Sequence, residues 1–296
     1  MLRTLIDIAI ATLVAVALTL ALVTWLKTRS LEQQIAGIQR GLKEANKKID
    51  EVAKEPGDAA GSAHGGGGSG SNVKHQSGAH WGYEGDMNPA RWGDTFPLCG
   101  TGRSQSPVDI RGPFEKTAKP IKIEYKSGPL KIVNNGHTIQ VQGTSGSKMS
   151  VAGDEYELMQ FHFHRPSEEL VEGKPGAMVV HFVHKGASGK LAVIGILLNE
   201  GKENVPLRSV FGNAPAHEGP EVHVPGGVVS PGDLFPANLD YFSYEGSLTT
   251  PPCTEGVSFF ILKSFGTVSR EQVESFPFKL NARPVQPLNG RKILVH

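Results

Sequence analysis

Only two cysteines occur in 296 residues, Cys99 and Cys253, and they stand far apart in the chain. That scarcity excludes a CxxC redox motif and a cysteine zinc finger, and leaves either two thiols or one long-range disulfide. Excess charge is lacking too: 30 Lys+Arg face 29 Asp+Glu, and the balance holds in both halves, with nine basic and seven acidic side chains in residues 1–74 and 21 and 22 in residues 75–296. Neither part has the basic footprint of a nucleic-acid binder, so no nucleic acid is expected as a partner. No internal repeat is found. What the chain does have is 36 Gly and 20 Pro, roughly a fifth of its length, which argues for short strands joined by turns rather than a helical bundle. With 39% hydrophobic residues it can still bury one large core.

The N-terminal part reads as three segments. Ile8 to Leu26 is an uncharged run of 19 residues, bounded by Arg3 before and by Lys27 and Arg29 after. At about 1.5 Å per residue it spans a hydrocarbon layer. A cleavable signal peptide is the alternative, but its apolar region is shorter and ends in small residues, whereas this one ends in Thr24-Trp25-Leu26-Lys27. Residues 1–28 are therefore expected to be a transmembrane signal anchor. Leu31, Ile35, Ile38, Leu42, Ala45, Ile49 and Val52 then follow alternating spacings of four and three, a heptad seam over residues 29–55. A coiled coil there would join copies into a homo-oligomer; a single amphipathic helix is the other reading. Residues 56–74, with Gly65-Gly66-Gly67-Gly68-Ser69-Gly70-Ser71, form a flexible linker.

Residues 75–296 change texture to short apolar runs broken by Gly, Pro, Asn and Asp. Strands are expected at 130–133, 138–142, 158–164, 177–184, 191–198 and 257–265, and short helices at 206–211 and 269–276, the latter with Ser269 and Gln272 as a capping box. The chemistry concentrates in Gln160-Phe161-His162-Phe163-His164 and in His181-Phe182-Val183-His184. Side chains two apart on a strand share a face, so His162 and His164 project together. A third imidazole from a neighbouring strand would complete a three-nitrogen site in which tetrahedral zinc keeps one open position. Parity alone does not choose between His181 and His184.

The surrounding blocks do more. His80-Trp81-Gly82-Tyr83, Ser104-Gln105-Ser106-Pro107-Val108, Asn134-Asn135-Gly136-His137, Gln160 to His164, Ser167-Glu168, Leu191-Ala192-Val193, Ser247-Leu248-Thr249-Thr250-Pro251-Pro252 and Asn281 to Pro287 run in order over nearly all of the last 222 residues. In these blocks the chain resembles the alpha-class carbonic anhydrases. The resemblance implies a mainly β fold, a large, twisted, mostly antiparallel sheet of about ten strands with short peripheral helices, with zinc at the bottom of a conical cleft. It implies His162, His164 and His181 as zinc ligands, Gln160 and the Asn281 carbonyl as acceptors for the ring N–H groups of His162 and His164, and Cys99 with Cys253 as a disulfide. Val179 departs from the family, for it stands where a glutamate often receives the His181 ring proton, and valine accepts nothing.

The implied activity is reversible hydration of CO2 to bicarbonate and a proton by attack of zinc-bound hydroxide. Thr249 would donate to Glu168 and so have only acceptor capacity left for the hydroxide. Val183, Val193, Leu248, Thr250, Val257 and Phe259 resemble the pocket for CO2. His137 matches the proton shuttle, with Tyr83, Asn135 and Gln140 ordering the water path. A catalytically silent binding domain on a stalk is the alternative, and a zinc esterase a third; loss of a ligand histidine would mark the silent domain, and none is lost. The cysteine pair places the catalytic domain in an oxidising compartment, on the periplasmic side of a bacterial inner membrane. The positive charges that follow the span, Lys27, Arg29, Arg40 and Lys43, argue for the opposite orientation.

Overall fold

The computed structural model describes residues 80–116 and 119–296. The anchor expected at 1–28, the coiled coil at 29–55, the linker at 56–74 and the first residues of the domain at 75–296 lie outside the described residues. Among the described residues no helix is long and apolar enough to cross a membrane.

Alternating and continuous apolar runs fold into one sheet of 13 strands. Its main path begins at the edge strand Val222–Val229 and passes through Gly128–Asn134, Ile139–Gln142, Asp154–His164, Met178–Gly186, Leu191–Glu200, Glu255–Leu262 and Tyr241–Ser247 to the two-residue strands Leu294–Val295 and Glu115–Lys116. The three further strands, Ile121–Glu124, Lys148–Val151 and Gly266–Val268, attach beside that path, so the sheet exceeds the ten strands expected. Most pairs are antiparallel, but Leu191–Glu200 runs parallel to Glu255–Leu262 at the centre. A separate three-stranded sheet holds Asp109–Ile110, Leu170–Val171 and Lys174–Pro175.

The central strands are buried on both faces, which is why they read as near-continuous hydrophobic runs. Phe161, Phe163, Val180, Phe182, Ile194, Ile196 and Phe260 face one side and join the larger core. Each such side chain contributes about 1.5–3 kcal/mol when fully buried. Val179, Val193, Leu197, Val257, Phe259 and Ile261 alternate with them and form a second cluster with Val108, Ile110 and Tyr244. His162, His164 and His181 lie on this second face.

The strand expected at 257–265 is in fact Glu255–Leu262, and a separate short strand follows at Gly266–Val268. The helix at Arg270–Ser275 carries the expected capping box between Ser269 and Gln272. Strands Val222–Val229 and Tyr241–Ser247 went unexpected because Gly and Pro or alternating polar residues dilute their apolar signal.

Candidate metal centre

Strand register assembles the site. His181 lies directly opposite His162 on the neighbouring antiparallel strand, and Gln140 lies opposite His162 on its other side. Next in the same row comes Gly195, paired with His181, where a Cβ would meet the Ile261 Cδ1 atom at 2.6 Å. A larger residue there would have to displace the end of the Ile261 side chain and would press on the His181 ring, whose Cδ2 would lie 3.5 Å from the added Cβ. One row along, His164 is paired with Val179. A register shift between Val183 and His184 leaves Met159 as an extra residue on the opposing strand, a β-bulge beside the site.

His184 follows the parity of Phe182 and turns to the opposite face. There its Nε2 lies 2.6 Å from the Tyr125 hydroxyl and its Nδ1 3.3 Å from the Ala192 carbonyl. Burial lowers its pKa to about 4, so it sits neutral in the core and takes no part in the cluster. Structure and parity together therefore choose His181.

His162, His164 and His181 bring one nitrogen each to within 4.8 Å of one another. The remaining ring nitrogens are all engaged. His162 Nδ1–H donates to Gln160 Oε1 at 2.8 Å, and His164 Nδ1–H donates to the Asn281 carbonyl at 2.7 Å. This leaves both Nε2 lone pairs aimed inward, and His164 Nε2 is buried without a hydrogen-bond partner. Burial lowers the pKa of His162 to about 3 and that of His164 well below its ordinary value, with the neighbouring imidazoles adding to the effect. Neutral imidazoles with convergent lone pairs fit the donor set of zinc, whose nitrogen ligands bind at about 2.0–2.1 Å.

The third ring has a partner that the sequence pattern concealed. His181 Nε2 lies 3.0 Å from Glu169 Oε2, and Glu169 is fully buried. Burial lowers the His181 pKa, but the charge and hydrogen bond of Glu169, with Glu168 behind it, outweigh that effect and the net shift is upward. Glu169 looks from sequence like one more polar residue of a loop; its only local signal is that it follows Glu168 directly.

Glu168 is buried as well. Its Oε1 accepts from the Arg283 backbone N–H at 2.9 Å, while Oε2 has no hydrogen-bond partner and stands 3.4 Å from His164 Nε2 and 3.8 Å from His181 Nδ1. Burial raises the Glu168 pKa to about 8, Glu169 adds to the rise, and His181, the Arg283 N–H and the Thr249 hydroxyl oppose it. Thr249 is buried beside it, though the contact stops short of a formed hydrogen bond.

A cleft of about 120 Å³ opens over the histidines. Tyr83, Asn135, His137, Gln140, Gln160 and Thr250 line it together with His162 and His164. The Tyr83 hydroxyl is buried without a partner, and burial raises its pKa well above the ordinary phenol value. His137 stacks on Trp81 with ring centroids 3.6 Å apart, and burial lowers its pKa, opposed by Glu218 and assisted by His80. Asn281 ties this group to the ligands: its carbonyl holds His164 while its amide donates to the His137 carbonyl at 3.0 Å.

The apolar residues take another place. Val193, Val257 and Phe259 are buried in the second core cluster, with Val183 and Leu248 half-buried against it. They line the face beside His181, whose ring lies 6.1 Å from that of Phe259, rather than the mouth of the cleft. Cys99 and Cys253 form a disulfide across 154 positions.

Residues 87–296 match the family described as eukaryotic-type carbonic anhydrase. A carbonic anhydrase of Pectobacterium atrosepticum is 41% identical over 225 residues, covering 73% of this chain and 91% of that protein. One from Neisseria gonorrhoeae is 40% identical over 232 residues, covering 76% and 91%. Among solved structures, an alpha-carbonic anhydrase from Thermovibrio ammonificans in complex with the inhibitor sulfanilamide superposes with a TM-score of 0.70 at 42% identity, covering 74% of this chain and all of that one.

Proposed function

The chain belongs to the alpha-class carbonic anhydrase family and catalyses the zinc-dependent reversible hydration of CO2, and on that premise we propose how its side chains divide the work. The observation that carries the reading is the trio of convergent histidine nitrogens, whose other ring nitrogens are each held by an acceptor. His162 and His164 would hold zinc through Nε2 and His181 through Nδ1. When bound, zinc supplies the Lewis acidity that makes hydroxide available near neutral pH.

The protein's part is orientation, dryness and proton removal. Thr249, buried beside Glu168, would donate its one proton to that carboxylate and so keep only acceptor capacity for the attacking oxygen, which would select a protonated nucleophile. Val183, Val193, Leu248, Val257 and Phe259, with Thr250, supply the dry wall against which CO2 rests. Each turnover releases a proton that must leave before the next begins. His137 stands at the cleft with a pKa below the ordinary value, so it is neutral and ready to accept at pH 7. Tyr83, Asn135 and Gln140 order the water between.

Stopped-flow CO2 hydration by the zinc-loaded chain tests the activity; a zinc-loaded chain without turnover would refute it. His137→Ala should lose about 100-fold in turnover in dilute buffer and regain much of it when imidazole is added. Unchanged buffer dependence and solvent-isotope effect would remove His137 from the proton path.

We further propose a membrane-tethered enzyme, anchored through residues 1–28, with its catalytic domain on the periplasmic side of a bacterial inner membrane and copies joined through residues 29–55. The uncharged run Ile8 to Leu26 supports the anchor, and a disulfide is a bond of oxidising compartments. Protease added to spheroplasts should digest the catalytic domain; protection until lysis would overturn the orientation.

A further inference from the structure

Val179 and His181 are two apart on Met178–Gly186, so their side chains share a face. That strand gives the His181 ring no acceptor, because Val179 is fully buried in an apolar cluster with Ile110, Val193 and Leu197. The acceptor comes instead from a different element, the loop after Asp154–His164. Glu169 reaches the same ring nitrogen at 3.0 Å with its carboxylate shut off from solvent. Little else holds that carboxylate: Tyr244 donates to its Oε1 at a long 3.5 Å, while the Ser167 hydroxyl bonds only the Glu169 main-chain carbonyl, at 2.8 Å. A buried charge with so little other compensation is weak as a stabilising device. Its strongest contact is the third histidine.

We propose that Glu169 is the positioning residue of His181: it fixes the tautomer with Nε2 protonated and Nδ1 free, turns that lone pair toward His162 and His164, and so sets how firmly zinc is retained. The inference rests on the zinc reading of the three histidines. It assigns to a loop residue a task that a carboxylate at position 179 could also perform, since that position shares the face of His181. The two positions are then alternatives, and this chain has its acceptor at 169 and an apolar side chain at 179.

Zinc affinity decides the point, measured on the full chain in detergent by competition with a chromophoric chelator. Wild type must bind one zinc; if it does not, the zinc reading itself falls and Glu169 is not at issue. Given that binding, Glu169→Ala should weaken zinc about 10–100-fold while the metal-free protein melts within a few degrees of wild type. Adding Val179→Glu to that variant should recover at least about tenfold of the loss, because it returns a carboxylate to the same ring. A folded Glu169→Ala protein that holds zinc within twofold of wild type would overturn the assignment. Should Glu169→Ala not fold, the double variant decides: folded with zinc retained, it supports the assignment, and unfolded as well, it shows that Glu169 serves the fold and not the metal.

Discussion

Replacing His162 by Ala is expected to strip the protein of zinc and to lower CO2 hydration by on the order of 10⁴-fold or more. The size follows from what zinc supplies: without it the nucleophile is water with a pKa of about 15.7 instead of about 7, and hydroxide at neutral pH becomes scarce. Two imidazoles remain in the variant, but His164 and His181 then offer an incomplete donor set that releases its metal. Of the three ligands His162 is the one not wholly buried, and its ring is held by a single side-chain acceptor, Gln160. Truncating it should therefore disturb the sheet least. The check is zinc content after gel filtration in chelator-treated buffer, read beside stopped-flow rates and far-UV circular dichroism. A native spectrum with no zinc and no turnover is the expected result. Zinc at one per chain, with turnover within tenfold of wild type, would mean that the three histidines are not the metal site.

Local pattern carried much of this centre, and its failures are physical. An HxH pair on an apolar run announces two imidazoles on one face, because strand parity is a local property. The third imidazole is not local: His181 and His184 take opposite faces, and which one meets His162 depends on the register between two separate strands, which strand parity does not fix. Resemblance to a family supplied that choice before the structure did. Glu169 escaped because nothing in its neighbourhood distinguishes a buried carboxylate from a solvated one; its burial comes from the packing of Tyr244 and His181, contributed by other elements. Arg283 escaped for the same reason. It is buried at 3% exposure, and its surroundings span the chain from Cys99 to Glu168. Fold class was legible from composition, since roughly a fifth of Gly and Pro marks many turns. The central parallel pair was not, because a parallel pairing leaves no hairpin signature.

Arg283 also explains why the disulfide should matter to more than the loop it closes. The segment from His80 to Thr101 contains only helices of three to five residues, too short to stand alone. It is pinned by Trp92, whose indole N–H donates to the Gly82 and Met87 carbonyls, and by the Cys99–Cys253 bond, which packs with Trp92 in a small cluster. The Arg283 guanidinium donates to the Cys99 carbonyl at 2.9 Å and to Gln105 Oε1 at 2.9 Å, and the Gln105 amide donates to the Cys253 carbonyl at 3.0 Å. The same arginine offers its backbone N–H to Glu168. Both ends of the disulfide thus lean on a buried network that reaches the residue beside the metal ligands. Replacing Cys99 and Cys253 together by Ser should cost about 3–5 kcal/mol, as expected for a bond closing so long a loop, and lower the melting temperature by roughly 10 °C. Zinc stoichiometry should stay at one, because the ligands stand on the central strands and not on the pinned segment. Turnover in dilute buffer should fall more than zinc affinity, since Trp81 and Tyr83 belong to that segment and line the cleft beside His137. Calorimetry of the double variant against wild type, with zinc analysis and stopped-flow CO2 hydration on the same samples, reads all three. A double variant that melts within about 2 °C of wild type would show that the buried network alone holds the segment and that the disulfide adds little.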